Sequence, residues 1–323
     1  MELTPKFFIR FLRNWTLPVA IVAGVVFYIV YENVPFFLPT RTLAARTVAI
    51  VQPLLIFSML FITLCKVDAR KLRLRIRHLW MLLFQCGLFV LGALLLYFIP
   101  TLPGRLVFES ALLCLICPTA TAASVVTMKL NGDAADIMSY TLLINLAVAL
   151  IVPLCIPLIH PQVGQTFFTS FALILCKVFP LLIFPLLVAQ LLRFWKPQWV
   201  EAIAKVHNLA FYLWAVALCL AIVVTCRSIA HTTHPFSELV AVAAASLICC
   251  AMQFALGHYM GRSCNKTIST AQAMGQKNTV FAIWMGYTFL NPVTSLAGGF
   301  YSIWHNLYNT YQLARKRRAG ESH

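Results

Sequence analysis

The chain has 323 residues, of which 61% are hydrophobic and 11% are charged. A globular domain carries roughly 25% charged residues, so this chain has too little charge to cover a water-facing surface, and an ordinary soluble protein is excluded. The formal net charge of +16 would suggest a nucleic-acid partner in a soluble chain. Whether that applies depends on where the basic residues lie.

The hydropathy predicts ten membrane-spanning helices joined by short connections that contain turn residues. Each candidate is long enough to cross about 30 Å of hydrocarbon. Basic residues precede the first predicted span, as they do in a signal peptide. The apolar stretch of this span is long, however, and has no nearby cleavage site, so we predict that it stays in the mature protein as the first membrane helix. The ten predicted spans are 15–32, 43–64, 79–99, 107–130, 135–158, 165–192, 207–225, 238–261, 267–290 and 294–313.

The distribution of lysine and arginine predicts the orientation of these spans. Nineteen of the 25 basic residues fall in connections on one predicted side and four on the other, while Lys177 and Lys277 fall within spans. Cytoplasmic connections hold the excess of basic residues, so both termini are predicted to be cytoplasmic in a multi-pass protein of the inner or plasma membrane. The basic residues thus indicate a lipid-bilayer partner and no nucleic acid.

The ten spans divide into two sets of five that enter the membrane from opposite sides. Spans 1–5 lie in residues 1–160 and spans 6–10 in residues 161–323. With five spans in each half, the second half begins on the opposite side of the membrane from the first, as two inverted repeats require. We therefore predict an all-α polytopic membrane protein built from two inverted repeats.

The fourth span of each half contains residues that weaken a helix. In the first half, Pro118 removes a backbone donor near mid-membrane, and three hydroxyl residues follow in Thr119, Thr121 and Ser124. In the second half, the centre of the span reads Gln272-Ala273-Met274-Gly275-Gln276-Lys277-Asn278-Thr279. Two interrupted helices at matching positions point to the binding site of a secondary transporter. The alternative for the first span is helix packing by small and hydroxyl residues.

Eight of the eleven cysteines fall inside apolar runs, which predicts small buried side chains and neither disulfides nor a metal site. They are Cys86, Cys114, Cys117, Cys155, Cys176, Cys219, Cys249 and Cys250.

Three short motifs resemble the bile acid:sodium symporter family. Cys117-Pro118-x-x-Thr121-Ala122 followed by Gly132-Asp133 is similar to the first crossing helix of that family, and Gly275-x-x-Asn278 with Ala282 to the second. Trp304-His305-Asn306 is similar to the last span. Their order, spacing and positions agree over about residues 45–313, so the chain resembles a divergent member.

The resemblance implies a panel of spans 1, 2, 6 and 7, a core of spans 3–5 and 8–10, and broken helices 4 and 9 that cross in the core. It implies an organic-anion substrate, bile-acid-like or a smaller carboxylate, in the crevice between core and panel, with access that alternates as the two move. The residues that match substrate positions are Thr121 and Asn278 at the crossing, together with Thr119 and with His305 in the last span. A lone membrane histidine is also common as a packing residue, so that reading of His305 stays open.

The sodium ligands of the family match only in part. A family glutamate falls on Ala273 and a family glutamine on Lys277, while Gln85, Ser124, Thr141 and Gln276 remain as polar remnants. An ammonium at 4 Å from a sodium ion would repel it by roughly 4 kcal/mol in an intermediate dielectric. We therefore expect no metal site and no usual two-site sodium coupling, and no other cofactor.

Lys277 is predicted to stand where family members hold a sodium ion, supplying fixed positive charge that attracts an anionic substrate. Proton coupling through Lys277 is another open possibility, and a structural ion pair with Asp136 or Glu109 is the alternative to both. Lys177, within the sixth span, either lines the crevice or reaches an interface by snorkelling.

The leading function is therefore a secondary transporter of an organic anion, and not an enzyme. The alternatives are a non-transporting membrane receptor or scaffold on a transporter fold, and an intramembrane enzyme. Against the enzyme, the sequence has no Asp-rich metal motif, no His-Glu-x-x-His and no paired acids at a membrane face.

Overall fold

A computed structural model describes residues 16–67, 72–161, 164–206 and 209–321, and this part of the chain is helical without a named strand. The basic residues Lys6, Arg10, Arg13, Arg70 and Lys71, which entered the orientation prediction, lie outside the described residues. The helices are α1 (Thr16–Asn33), α2 (Arg41–Cys65), α3 (Ile76–Phe98), α4 (Arg105–Ile116), α5 (Ala123–Lys129), α6 (Ala134–Ile159), α7 (Phe167–Trp195), α8 (Pro197–Lys205), α9 (Leu209–Ala230), α10 (Phe236–Arg262), α11 (Thr267–Gly275), α12 (Thr279–Phe289) and α13 (Leu296–Glu321).

Six helices in the described part of the chain are long and apolar enough to cross a membrane by length and composition, namely α2, α3, α6, α7, α9 and α10. They indicate a multi-pass membrane protein, as the sequence predicts. Two further apolar helices, α1 and α12, are shorter. The predicted fourth and ninth spans are each divided into two short helices, α4 with α5 and α11 with α12.

Two short helices lie in connections where no element was predicted. A 3-10 helix covers Pro35–Thr40 before α2. Helix α8 begins with Pro197 at a position where a missing backbone donor has no cost. It buries Val200 and leaves Trp199 exposed, so one face of α8 packs on the protein while the other faces outward.

The helices pack in two sets joined by α6 and α7. Helix α10 packs against α4, α11 and α13, and α3 packs against α4 and α6. Helix α2 packs against α7 and α9, and α9 packs against α1. Helix α6 packs closely on α7, which connects the two sets.

Helices α10 and α11 approach each other through two glycines four residues apart. A Cβ atom on Gly257 would lie 2.6 Å from the Cα atom of Ala271, and one on Gly261 would lie 2.6 Å from the Cα atom of Thr267. This is the close backbone packing that a Gly-x-x-x-Gly pattern allows between membrane helices. It fixes the first half of the second broken helix against α10.

Polar contacts join connections that were predicted to lie on the same side of the membrane. The Lys266 ammonium bonds the Asp133 carboxylate at 2.9 Å, and Lys316 Nζ donates to the Lys129 carbonyl at 2.6 Å. At the other ends of the helices, Arg105 donates to the Ile159 carbonyl at 2.5 Å. These contacts tie the connections to one another at the ends of the helices.

The Asp133–Lys266 pair makes a small, acid-sensitive contribution to stability. The hydrogen bond from Lys266 lowers the pKa of Asp133 below its ordinary value of 3.8. A carboxyl group with a lowered folded pKa stabilises the fold above its unfolded pKa, and this stabilisation is lost as the pH falls through the folded pKa.

We expect Lys266→Gln to lower stability at pH 6 by less than about 1 kcal/mol, because both side chains are partly exposed. The thermal midpoints of the variant and the unmodified protein in detergent should converge below the lowered pKa of Asp133. A difference that persists at that acidity would contradict this origin of the effect.

Candidate functional site

The first interruption lies between α4 and α5. Helix α4 ends at Ile116, and the segment 117–122 separates it from α5. Pro118 lacks a backbone donor, and a proline disfavours helical geometry in the residue before it. The sequence therefore ends the helix near mid-span, as predicted from Pro118.

The second interruption lies between α11 and α12. Helix α11 ends at Gly275 and α12 begins at Thr279. The side chain of Asn278 caps α12 by accepting a hydrogen bond from the Phe281 amide at 3.2 Å. Gly275 lies against the Phe254 ring, where a Cβ atom would approach to 2.4 Å.

The two interruptions meet and pair with each other in antiparallel fashion. The Ala120 amide donates to the Gln276 carbonyl and the Asn278 amide to the Pro118 carbonyl, each at 2.8 Å. Thr119 and Lys277 stand opposite each other at the centre of this pair. We call this contact the crossing, defined as residues 117–122 with 276–278.

Side chains add two further bonds at the crossing. The Thr119 hydroxyl donates to the Ala273 carbonyl at 2.6 Å, and the Cys117 thiol donates to the Asn278 carbonyl at 2.9 Å. Backbone that is not helical is tolerated at membrane depth only where the protein or a wet cavity satisfies its polar groups. The crossing meets this condition by pairing the two interruptions.

Two glutamine–tyrosine pairs bind the helix ends at the crossing. Gln85 on α3 donates to the Cys117 carbonyl at 3.0 Å and accepts from the Tyr140 hydroxyl of α6 at 2.9 Å. Gln253 on α10 donates to the Tyr301 hydroxyl of α13 at 3.1 Å, and Tyr301 donates to the Gly275 carbonyl at 2.8 Å. Each pair thus satisfies a carbonyl at the end of one broken helix.

Lys277 is the buried cation of the site. Its side chain is 1% exposed, and Nζ has no hydrogen-bond partner among the described residues. Five thiols lie close enough to interact electrostatically with it, namely those of Cys86, Cys114, Cys117, Cys249 and Cys250. The ammonium therefore lies among neutral groups.

The predicted alternative, a structural ion pair of Lys277 with Asp136 or Glu109, is wrong. Asp136 bonds the guanidinium of Arg77 and the ring of His78. Glu109 bonds Arg105 at 2.7 Å and His160 at 2.9 Å. Both acids lie at helix ends with basic partners nearby, so neither is available to a lysine at the crossing.

The residues that resemble sodium ligands include no carboxylate, and three of the four have hydrogen-bonded side chains. Both ends of the Gln85 amide are hydrogen bonded, the Thr141 hydroxyl donates to the Ile137 carbonyl, and the Ser124 hydroxyl donates to the Thr121 carbonyl. The side-chain oxygen of Gln276 is buried and accepts no hydrogen bond from the residues that the structure describes, but the next residue in the chain is Lys277. An oxygen cage with negative charge, which sodium prefers, is not what these residues form.

The candidate substrate residues are only partly brought together. Thr121, half-buried, and Asn278 lie at the crossing, whereas Thr119 is completely buried with its hydroxyl bonded. His305 lies on α13, one helical turn beyond Tyr301, with its ring edge-on to that tyrosine. Its Nδ1 atom is buried and has no hydrogen-bond partner in the described part of the chain. In this conformation, Thr121 offers more free surface than the other three.

Lys177 lies away from the crossing, on α7. Its Nζ atom is 5.7 Å from the centroid of the Phe289 ring at the end of α12, close enough for a cation–π contact. The structure thus gives Lys177 an aromatic partner.

The cysteines are all free. Six of the eight predicted to be buried are buried, but Cys176 is exposed and Cys219 is intermediate, because their faces of α7 and α9 point away from the core. Among the described residues, no group of His, Cys, Asp or Glu side chains is arranged to hold a metal ion.

Three residues of the site were missed from the sequence, namely Gln253, Tyr140 and Tyr301. A signal was available, because Gln85 and Gln253 lie in the third predicted span of their halves and the two tyrosines in the fifth.

No family model matches this chain, and no curated protein matches it.

Proposed function

We propose that this chain is a secondary transporter that moves an organic anion by alternating access, without the usual two sodium ions. The observation that carries the proposal is the crossing, where two interrupted helices pair and enclose an unpartnered lysine. Discontinuous helices of this kind form binding sites in transporters because they expose free backbone groups at the midplane.

The proposed architecture is ten spans in two inverted repeats, 1–160 and 161–323. The two glutamine–tyrosine pairs support it, since they come from the third and fifth spans of each half and act on matching helix ends. The two packing sets support a core of spans 3–5 and 8–10 beside a panel of spans 1, 2, 6 and 7.

An anionic substrate is supported by the charge of the site. The Lys277 ammonium has no acidic partner among the described residues, and α12 directs its N-terminus at the crossing, which favours negative charge. Thr121 and Asn278 are the proposed substrate contacts, with Thr119 and His305 reached only if the core rearranges. The proposed location is a cell membrane with both termini in the cytoplasm.

The resemblance to the bile acid:sodium symporter family supports the same substrate class, a bile-acid-like or smaller carboxylate. The resemblance does not extend to sodium coupling, because Ala273 and Lys277 occupy two positions at which the family has sodium ligands. Lys277 takes the place of the ion and stays in the protein.

Uptake into proteoliposomes tests this function. Labelled taurocholate serves as a large organic anion and labelled pyruvate as a small one, with protein-free liposomes as the blank. Uptake of either anion supports a transporter. Absence of uptake of both, with a monodisperse protein, would overturn the proposal and favour a receptor or scaffold on this fold.

We also expect that replacing sodium with potassium on both sides will leave the uptake rate nearly unchanged, because Lys277 already supplies the positive charge. A coupled ion would change affinity by about fivefold or more. Clear dependence on a sodium gradient in the unmodified protein would contradict the assignment of Lys277, while leaving anion transport in place.

A further inference from the structure

The cationic side chain of Lys277 is part of the protein and stays in place when a substrate leaves. Five acidic side chains in the described part of the chain are held by basic partners elsewhere, namely Glu32, Glu109, Asp133, Asp136 and Glu238. Nζ of Lys277 is buried and has no hydrogen-bond partner there. A bound ion would leave with its substrate, whereas this cation stays.

The groups that face Lys277 do not neutralise it. The titratable side chains around it are the thiols of Cys86 on α3, Cys114 on α4, Cys117 in the first interruption, and Cys249 and Cys250 on α10. The nearby hydroxyl groups of Tyr140 on α6 and Tyr301 on α13 are bonded to Gln85 and to the Gly275 carbonyl. The surroundings thus contribute no full negative charge.

Helix ends explain how the cation is tolerated. Helices α4 and α11 both end at the crossing, and a helix C-terminus carries the equivalent of about half a negative charge. Helices α5 and α12 begin at the same crossing and contribute the opposite sign. The carbonyl ends stabilise the ammonium, but the crossing as a whole keeps a net positive charge.

We propose that this chain exchanges one organic anion for another across the membrane and returns empty only slowly. The inference rests on the proposed function and deepens it. When the crevice closes without an anion, water leaves and the charge of Lys277 is unscreened in a low dielectric, which is unfavourable. An anion in the crevice compensates that charge, so the loaded protein can close and change its access. Because Lys277 remains after the anion leaves, the return step needs a second anion.

Trans-stimulation of uptake tests the exchange. Proteoliposomes of the full chain are loaded with unlabelled taurocholate, with unlabelled pyruvate, or with neither. The initial uptake of the matching labelled anion is measured with equal potassium on both sides and valinomycin, which removes any membrane potential. We expect internal anion to accelerate uptake at least about tenfold, the equivalent of about 1.4 kcal/mol in the barrier of the empty return.

Two outcomes separate this inference from the proposed function. Equal uptake rates with and without internal anion would overturn the exchange proposal and leave the transporter assignment standing. No uptake of either anion under any condition would overturn the transporter assignment, and the exchange proposal with it.

Variants connect the effect to the charge of Lys277. Lys277→Met removes the ammonium at similar length and should bring the ratio of exchange to net uptake close to one. Lys277→Arg keeps the charge and should keep the ratio, and Lys177→Met, which removes a different membrane lysine, should also keep it. An unchanged ratio in a monodisperse Lys277→Met protein would overturn the proposal. If that variant does not fold, the ratio in the unmodified protein decides.

Discussion

Asp136→Ala is expected to lower the free energy of unfolding by about 3–5 kcal/mol, the cost of leaving buried charged groups without their partner. The carboxylate of Asp136 is 6% exposed and holds both the Arg77 guanidinium and the His78 ring, whose side chains are 11% and 1% exposed. Removing it also releases the start of α3 from the start of α6. Titration of the detergent-solubilised protein with SDS measures the loss.

Glu238→Ala is the matched control, since Glu238 is also an acid that bonds a histidine, His234, but its side chain is 42% exposed. An exposed pair contributes less than about 1 kcal/mol, so this variant should unfold almost like the unmodified protein. Equal losses in the two variants would show that burial of the Asp136 cluster does not determine its contribution.

Gly257→Val is the second substitution with a large expected effect, about 1–3 kcal/mol or more, as for other overpacked helix contacts. A Cβ atom at this position would lie 2.6 Å from the Thr270 carbonyl oxygen and from the Ala271 Cα atom. Backbone atoms cannot rotate away, so α11 must move from α10. Because α11 ends at the crossing, anion uptake should fall together with the thermal midpoint.

Gly87→Val controls for the change in side chain and in helix propensity. Gly87 lies on α3, and a Cβ atom there would meet no other atom of the described residues within 4 Å. We expect the midpoint and the uptake of this variant to stay close to those of the unmodified protein. A similar loss in both variants would mean that valine in a membrane helix, and not the contact with α11, causes the effect.

The positions of the helices follow from local sequence, so much of the fold could be predicted. Apolar runs must become helices in a membrane because each backbone group needs a partner within its own segment. Pro118 and the polar run around Lys277 signal where this regular pattern ends. Both signals act within a few residues, and both interruptions lie where they were predicted.

The partners of the polar side chains could not be predicted in the same way. Asp136 and Glu109 were the predicted candidates for an ion pair with Lys277. Asp136 instead bonds Arg77 and His78 at the start of α3, and Glu109 bonds Arg105 in its own helix and His160 at the end of α6. Which helices are neighbours depends on tertiary packing. The same reason explains why Tyr140 and Tyr301 were missed, since each is hydrogen bonded to a glutamine more than 45 residues away in the chain.

The thiols around Lys277 give the chain its own chemical reporters. Cys86, Cys114, Cys117 and Cys250 are free and buried, so a water-soluble maleimide reaches them only when the helices at the crossing separate from their neighbours. With the exposed Cys176 and the partly exposed Cys219, Cys226 and Cys264 replaced by serine, the rate at which the remaining buried thiols are labelled would follow opening of the core. The crossing therefore carries probes that need no engineered label.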